Sequence, residues 1–177
     1  MPQLVMRWTN DGTPRKPIEL PAGVEVKCLS DFEDYITPWC SVARYLQPEG
    51  YPDYTDEALF EAALGSRKNF RPDTTVLLLL EGQPVSTFTI LCDPETRKGY
   101  MHMVAARPEC RGRGLGHLMN NLAVDILKRE GMESCWLTTD DWRLAAIKTY
   151  LKAGFCPDLE AEPDAKERWE KILDQLK

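Results

Sequence analysis

Arg111-Gly112-Arg113-Gly114-Leu115-Gly116 stands directly after a stretch of strand character, Tyr100 to Ala106, and directly before a long helical pattern. That position makes the glycines informative. Without Cβ atoms they let the backbone turn tightly and approach a ligand closely, and the unpaired N–H groups and dipole of the following helix favour an anion. A phosphate or pyrophosphate is the natural guest, although glycine content alone fits a plain connecting turn equally well. The spacing excludes two familiar phosphate loops. A Walker loop requires Gly-Lys followed by Ser or Thr, and a Rossmann fingerprint requires G-x-G-x-x-G, whereas these glycines run G-x-G-x-G. Asp140, at the end of the next strand, sits where a ribose-binding acid is expected. Even so, too few residues follow the loop to build a doubly wound sheet, so dinucleotide-dependent oxidoreduction is a poor second.

Outward from the loop, the apolar residues Leu115, Leu118, Met119, Leu122, Ala123, Ile126 and Leu127 recur at helical spacing, with Gly131 as the stop. Ser134 to Thr139 reads as a strand and Trp142 to Ala153 as a helix closed by Gly154. Upstream, Thr74 to Leu80 and Val85 to Cys92 form a β-hairpin around Glu81-Gly82-Gln83-Pro84, with Tyr100 to Ala106 as the third strand. The first half offers a strand near Val24 to Leu29. A helix follows through Phe32, Tyr35, Ile36 and Trp39, with Ser30 or Asp31 as cap and Pro38 near its break. Thr55 caps a second helix carrying Leu59, Phe60 and Leu64. Residues 1–22, with Pro14, Pro17 and Pro21, read as an extended lead-in. A final amphipathic stretch places Trp169, Ile172, Leu173 and Leu176 on one face, for the chain's own core or for a homodimer. The order of elements predicts a single α/β, or mixed α+β, domain over residues 1–177 with one clear β-loop-α-β crossover.

The R/Q-x-x-G-x-G/A pattern of Arg111, Gly114 and Gly116 resembles the pyrophosphate signature of the GNAT acyltransferases. The likeness continues through Met103-Val104-Ala105-Ala106-Arg107-Pro108 and through Ala146-Ile147-Lys148-Thr149-Tyr150-Leu151-Lys152-Ala153-Gly154-Phe155, which is similar to the family's A-I-x-x-Y-x-x-x-G-F block. It covers residues 100–155, the expected cofactor-binding and catalytic core. The resemblance implies a central, mixed, twisted sheet flanked by helices, with acetyl-CoA as cosubstrate and direct acetyl transfer to a primary amine. It also implies that backbone groups of Val104, Ala105 and Ala106 pair with pantetheine. Arg111, Gly112, Arg113, Gly114, Leu115 and Gly116 hold the pyrophosphate, and a backbone N–H near Val104 faces the oxyanion.

Tyr150 occupies the family's general-acid position. His102 is the preferred general base, its ordinary pKa being near neutrality; Asp140, Asp141, Glu109 or water are the alternatives, and Asp140 or Asp141 equally suits a helix cap. Many relatives carry Asn seven residues before the tyrosine, where this chain has Arg143. Cys110 beside the loop is not needed as a nucleophile in direct transfer. Trp39, Tyr45, Tyr51 and Tyr54 are candidates to line an acceptor pocket or to fill the core. A non-catalytic acyl-CoA-binding regulatory module of the same fold is the alternative function.

Composition fits this reading. The chain has 177 residues, 43% of them hydrophobic and 28% charged, enough to bury one core. A net charge of −6 argues against nucleic acid as a partner. The start of the chain lacks the basic-then-apolar pattern of a secretory leader, and no apolar run suits a membrane span, so a cytoplasmic location is expected. Six scattered cysteines and two histidines form no familiar metal spacing, and no metal is expected.

Overall fold

The computed structural model describes residues 2–14, 17–46 and 52–177. Strands β1 (Leu4–Thr9), β2 (Val24–Cys28), β3 (Thr75–Leu80), β4 (Gln83–Asp93), β5 (Lys98–Ala106), β6 (Ser134–Thr139) and β7 (Cys156–Pro157) form one mixed sheet in the order β2-β3-β4-β5-β6-β1-β7. The β5–β6 pair is parallel and the other pairs are antiparallel. Helices α1 (Ile36–Ala43) and α2 (Asp56–Phe60) cover one face. Helices α3 (Leu115–Arg129), α4 (Leu144–Lys152) and α5 (Ala165–Gln175) cover the other.

β3 shows why the hairpin reads as an unbroken apolar run. Val76 and Leu78 pack into the core under α3 to α5, while Leu77 and Leu79 pack into the core under α1 and α2. A strand covered on both faces has no polar side to alternate with. Across the second core, Trp39 meets Phe60 edge-on at 5.2 Å, which makes Trp39 a core residue and not a pocket wall.

Three elements differ from the sequence-based expectation. Leu4–Thr9, within the expected lead-in, is a full strand that pairs with β6 on one side and β7 on the other. Its buried Leu4, Met6 and Trp8 alternate with Val5, Arg7 and Thr9. α1 starts at Ile36, after a short 3-10 turn at Leu29–Asp31. Asp34 accepts from the Ile36 N–H at 3.0 Å and from the Thr37 hydroxyl at 3.0 Å, and Pro38 falls in the first turn, where a missing N–H costs nothing. α4 starts at Leu144, so Trp142 lies in the preceding loop and is 74% exposed. Thr55 does cap α2, accepting from the Ala58 N–H at 3.3 Å. Tyr51 lies outside the described residues. No helix among the described residues is long and apolar enough to cross a membrane.

α5 buries Trp169 and Ile172 and leaves Leu173 exposed. It is fastened by Arg168, only 8% exposed. The guanidinium donates to Asp141 through Nε at 2.9 Å and to the Pro2 carbonyl at 3.0 Å, joining α5, the β6–α4 loop and the start of β1. Arg168 also holds the Asp141 carboxyl below its usual pKa. A carboxyl with a lowered folded pKa stabilises above its unfolded value and loses that contribution as the pH falls. Arg168→Ala is therefore expected to cost about 2 kcal/mol in urea unfolding near neutral pH, with a smaller difference from wild type below about pH 4. An unchanged urea midpoint would contradict this anchoring role.

Candidate active site

The site grows from the end of β5. The last β5–β6 pair is Tyr100 with Trp136. Beyond it β5 continues along β4 to Ala106 opposite Ser86, and β6 continues along β1 to Thr139 opposite Leu4. The two strands part while each keeps its outer partner, so a cleft opens between residues 101–106 and residues 137–139. Tyr100 sits at its base, stacked on Trp136 at 4.0 Å, with its hydroxyl 3.4 Å from Thr138 Oγ1.

The β4–β5 register slips between Thr87 and Thr89, where Ala105 faces Thr87 and His102 faces Thr89. Met103 and Val104 thus share the place of one residue, and Met103 takes φ +52. A non-glycine residue held there costs about 1–3 kcal/mol, and bulges of this kind re-aim side chains beside active sites. The bulge also reverses the alternation. Val104 packs toward α3, whereas Met103 and Ala105 pack toward α1 and α2. Simple alternation from His102 would put Val104 on the opposite face.

β5 runs through a 3-10 turn at Pro108–Cys110 into the glycine loop. Gly112 and Gly114 adopt φ +77 and +78, and a Cβ at either would meet nothing within 4 Å. Among the described residues, the N–H groups of Gly112 through Gly116 have no acceptor, and Gly114 as N-cap offers no side chain to satisfy the first turn of α3. Helix starts normally recruit a capping side chain. Here the donors are left open, in a concave run of left-handed glycines of the type that cradles anions. The geometry fits a pyrophosphate. Arg111 and Arg113 are exposed beside it, Glu109 is exposed, and Cys110 is buried.

α4 closes the site from the α3 side. A Cβ on Gly116 would touch Thr149 at 3.5 Å, and Asn120 Nδ2 donates to Thr149 Oγ1 at 3.0 Å. These contacts hold the neighbouring Tyr150 against the core, 6% exposed, with its ring 6.1 Å from that of Phe155. Burial pushes the Tyr150 phenol up to about 12; Arg143 opposes this and Tyr100 adds to it. Both groups therefore lie within electrostatic reach of the phenol. Its hydroxyl makes no side-chain hydrogen bond among the described residues.

His102 stacks on Tyr100 at 5.2 Å, and its Nε2 lies 3.0 Å from the Ala63 carbonyl. A carbonyl only accepts, so Nε2 carries a proton and Nδ1 is the basic nitrogen. Burial lowers the His102 pKa; the Ala63 bond opposes that shift, and Arg67 reinforces it. Two of the acidic alternatives are engaged elsewhere. Asp140 accepts from Gln3 Nε2 at 3.0 Å and lies 3.0 Å from Arg143, and Asp141 is held by Arg168. Neither carboxylate caps α4. Tyr45 is exposed, and no group of three or more potential metal ligands occurs among the described residues.

Sequence reasoning did not single out Tyr100, Trp136 and Thr138 as cleft residues, because their meeting depends on where β5 and β6 part. The one advance signal within α3 was Asn120, a polar residue on an otherwise apolar face.

A cleft between parting parallel strands, opening onto an uncapped glycine loop at a helix start, agrees with the family comparison. The profile of the Acetyltransferase (GNAT) family matches residues 39–155, and the chain belongs to that family. Among curated proteins it is similar to a mycothiol acetyltransferase of Tsukamurella paurometabola, 35% identical over 68 residues that cover 38% of this chain and 23% of that protein. A mycothiol acetyltransferase of Streptomyces griseus is 26% identical over 140 residues, covering 77% of this chain and 44% of its own. The chain thus spans less than half the length of these relatives. Among solved structures, a GCN5-related N-acetyltransferase from Sphaerobacter thermophilus superimposes with a TM-score of 0.69 at 22% identity, over 89% of this chain and 50% of that one. At that identity the likeness concerns the fold.

Proposed function

We propose that this protein transfers an acetyl group from acetyl-CoA to a primary amine, directly and without a covalent acyl-enzyme. The observation that carries the reading is the run of open N–H donors from Gly112 to Gly116 at the outlet of the β5–β6 cleft. When bound, acetyl-CoA supplies the acetyl group as an activated thioester. The glycine loop holds its pyrophosphate, with Arg111 and Arg113 adding charge. The backbone of Val104 to Ala106, which has no β6 partner, is free to bond the pantetheine arm, and an N–H at the bulge faces the carbonyl oxygen as negative charge develops there.

The acceptor nitrogen forms its bond to the carbonyl carbon as the carbon–sulfur bond breaks. Tyr150 donates the proton that the leaving sulfur takes up, a role suited to a phenol that stays protonated throughout the working pH range. His102 Nδ1, directly or through water, removes the proton that the amine gives up. Support for His102 is its place on β5 and the neutrality that burial favours.

The pH dependence follows from that shift. A base with a lowered pKa is available down to a lower pH, so the acid limb of kcat/KM should fall below about 6.5. In His102→Gln, kcat/KM should drop by about 10–100-fold and the limb should vanish. A variant that keeps both rate and limb would transfer the role to water or to another group. Thiol release from acetyl-CoA across a panel of amines tests the function as a whole; no release with any amine would refute it.

A further inference from the structure

The helical cover of the α1–α2 face stops at β5. Beyond it, Tyr100 and Trp136 lie side by side on that face, and Trp136 is 37% exposed. With His102 stacked on Tyr100, they form an aromatic floor. Beside this floor is a pocket of about 340 Å³ whose charged lining is Arg67, Lys68 and Lys98 against one carboxylate, Asp93.

None of the three cations enters an ion pair among the described residues. Arg67 gives its Nε to the Ala63 carbonyl at 3.3 Å. Asp93 is turned into the β4–β5 turn, where it accepts from the N–H groups of Glu95 at 3.0 Å and Thr96 at 3.4 Å. On a chain of net charge −6, this is a local reversal of sign next to the base of the cleft, and such a concavity concentrates anions.

Building on the acyltransferase reading, we propose that the acceptor is an elongated amine bearing a carboxylate. The Arg67, Lys68 and Lys98 pocket holds the carboxylate while the nitrogen reaches the cleft near Val104. Val104 lies four residue steps along β5 from Tyr100, about 13 Å of strand, and the bulge shortens this. The amine and acid of the acceptor therefore stand about 10 Å apart, at the strand's rise per residue. A free α-amino acid is too short. A peptide entering by its N-terminus, with an acidic side chain at its third position, spans the distance and lays its backbone over the aromatic floor.

The test compares two acceptors, Ala-Gly-Asp-amide and Ala-Gly-Asn-amide, with acetyl-CoA as donor and thiol release as readout. Wild type should prefer the acidic peptide by about tenfold or more in kcat/KM, the range expected of a charge-assisted contact. The preference should shrink as salt is raised, and the ratio should fall to about one in the double variant Arg67→Gln/Lys68→Gln. Equal use of the two peptides by wild type, or a ratio unmoved in the double variant, overturns the inference and leaves the acyltransferase reading intact. Should neither peptide be acetylated, titration of each onto the protein with coenzyme A decides the matter. Selective binding of the acidic peptide supports the anion pocket while the failure counts against acetyl transfer, and equal binding overturns the pocket.

Discussion

In Gly114→Val, coenzyme A no longer raises the melting temperature, and its affinity falls by at least about 100-fold, some 2.7 kcal/mol. Two effects act together. At φ +78 a β-branched residue is strained by about 1–3 kcal/mol, so the loop relaxes away from its curved form. The added methyl groups also enter the open space over the uncapped start of α3, which the pyrophosphate needs. The fold should survive, because nothing lies within 4 Å of the new Cβ. Gly82→Val is the matched control: Gly82 has φ +77, equally open surroundings and a place in the β3–β4 turn, away from the loop. It should lose similar stability and keep its affinity. Equal affinity in Gly114→Val and Gly82→Val would sink the loop assignment.

Tyr150→Phe is expected to lower kcat by about 100-fold or more, the usual scale for losing a positioned acid, with little change in coenzyme A affinity. The phenol is buried and its hydroxyl has no side-chain hydrogen bond among the described residues, so phenylalanine should fold as well as tyrosine and the effect is chemical. Because burial raises the phenol to about 12, Tyr150 ionisation should place no basic limb on the rate between pH 6 and 10. The sign for stability is the same. A raised phenol pKa contributes fully below the unfolded value of about 10, and that contribution is lost as the pH climbs toward 12. A fully active Tyr150→Phe would pass the acid's role to water or another group, whereas coenzyme A binding with no turnover by the wild type would favour the regulatory, non-catalytic alternative.

The fold's second half is legible because local chemistry decides it. Gly112 and Gly114 mark positions of positive φ, the apolar residues of α3 repeat at helical spacing, and Gly131 and Gly154 mark helix ends. β1 carries its own signal in the alternation of Leu4, Met6 and Trp8, but Pro14, Pro17 and Pro21 close by favour an irregular reading. Its slot between β6 and β7 rests on contacts across more than a hundred residues. At the site, the loop and the place of Tyr150 in a helix follow from pattern, whereas the bulge at Met103 has no glycine to announce it. The parting of β5 from β6 is likewise set by long-range register. The tautomer of His102 depends on Ala63, a residue of another element that no spacing rule connects to it.

The most direct test of the central claim is a thermal shift of the purified protein with acetyl-CoA, coenzyme A, NAD, NADP and ATP in parallel. A ligand at 100 times its Kd stabilises the native state by about 2.7 kcal/mol, worth about 5–10 °C for a chain of this size. The glycine loop and cleft predict that shift with acetyl-CoA and coenzyme A and little with the others; a selective response to a dinucleotide, or no response to either form of coenzyme A, would contradict the account.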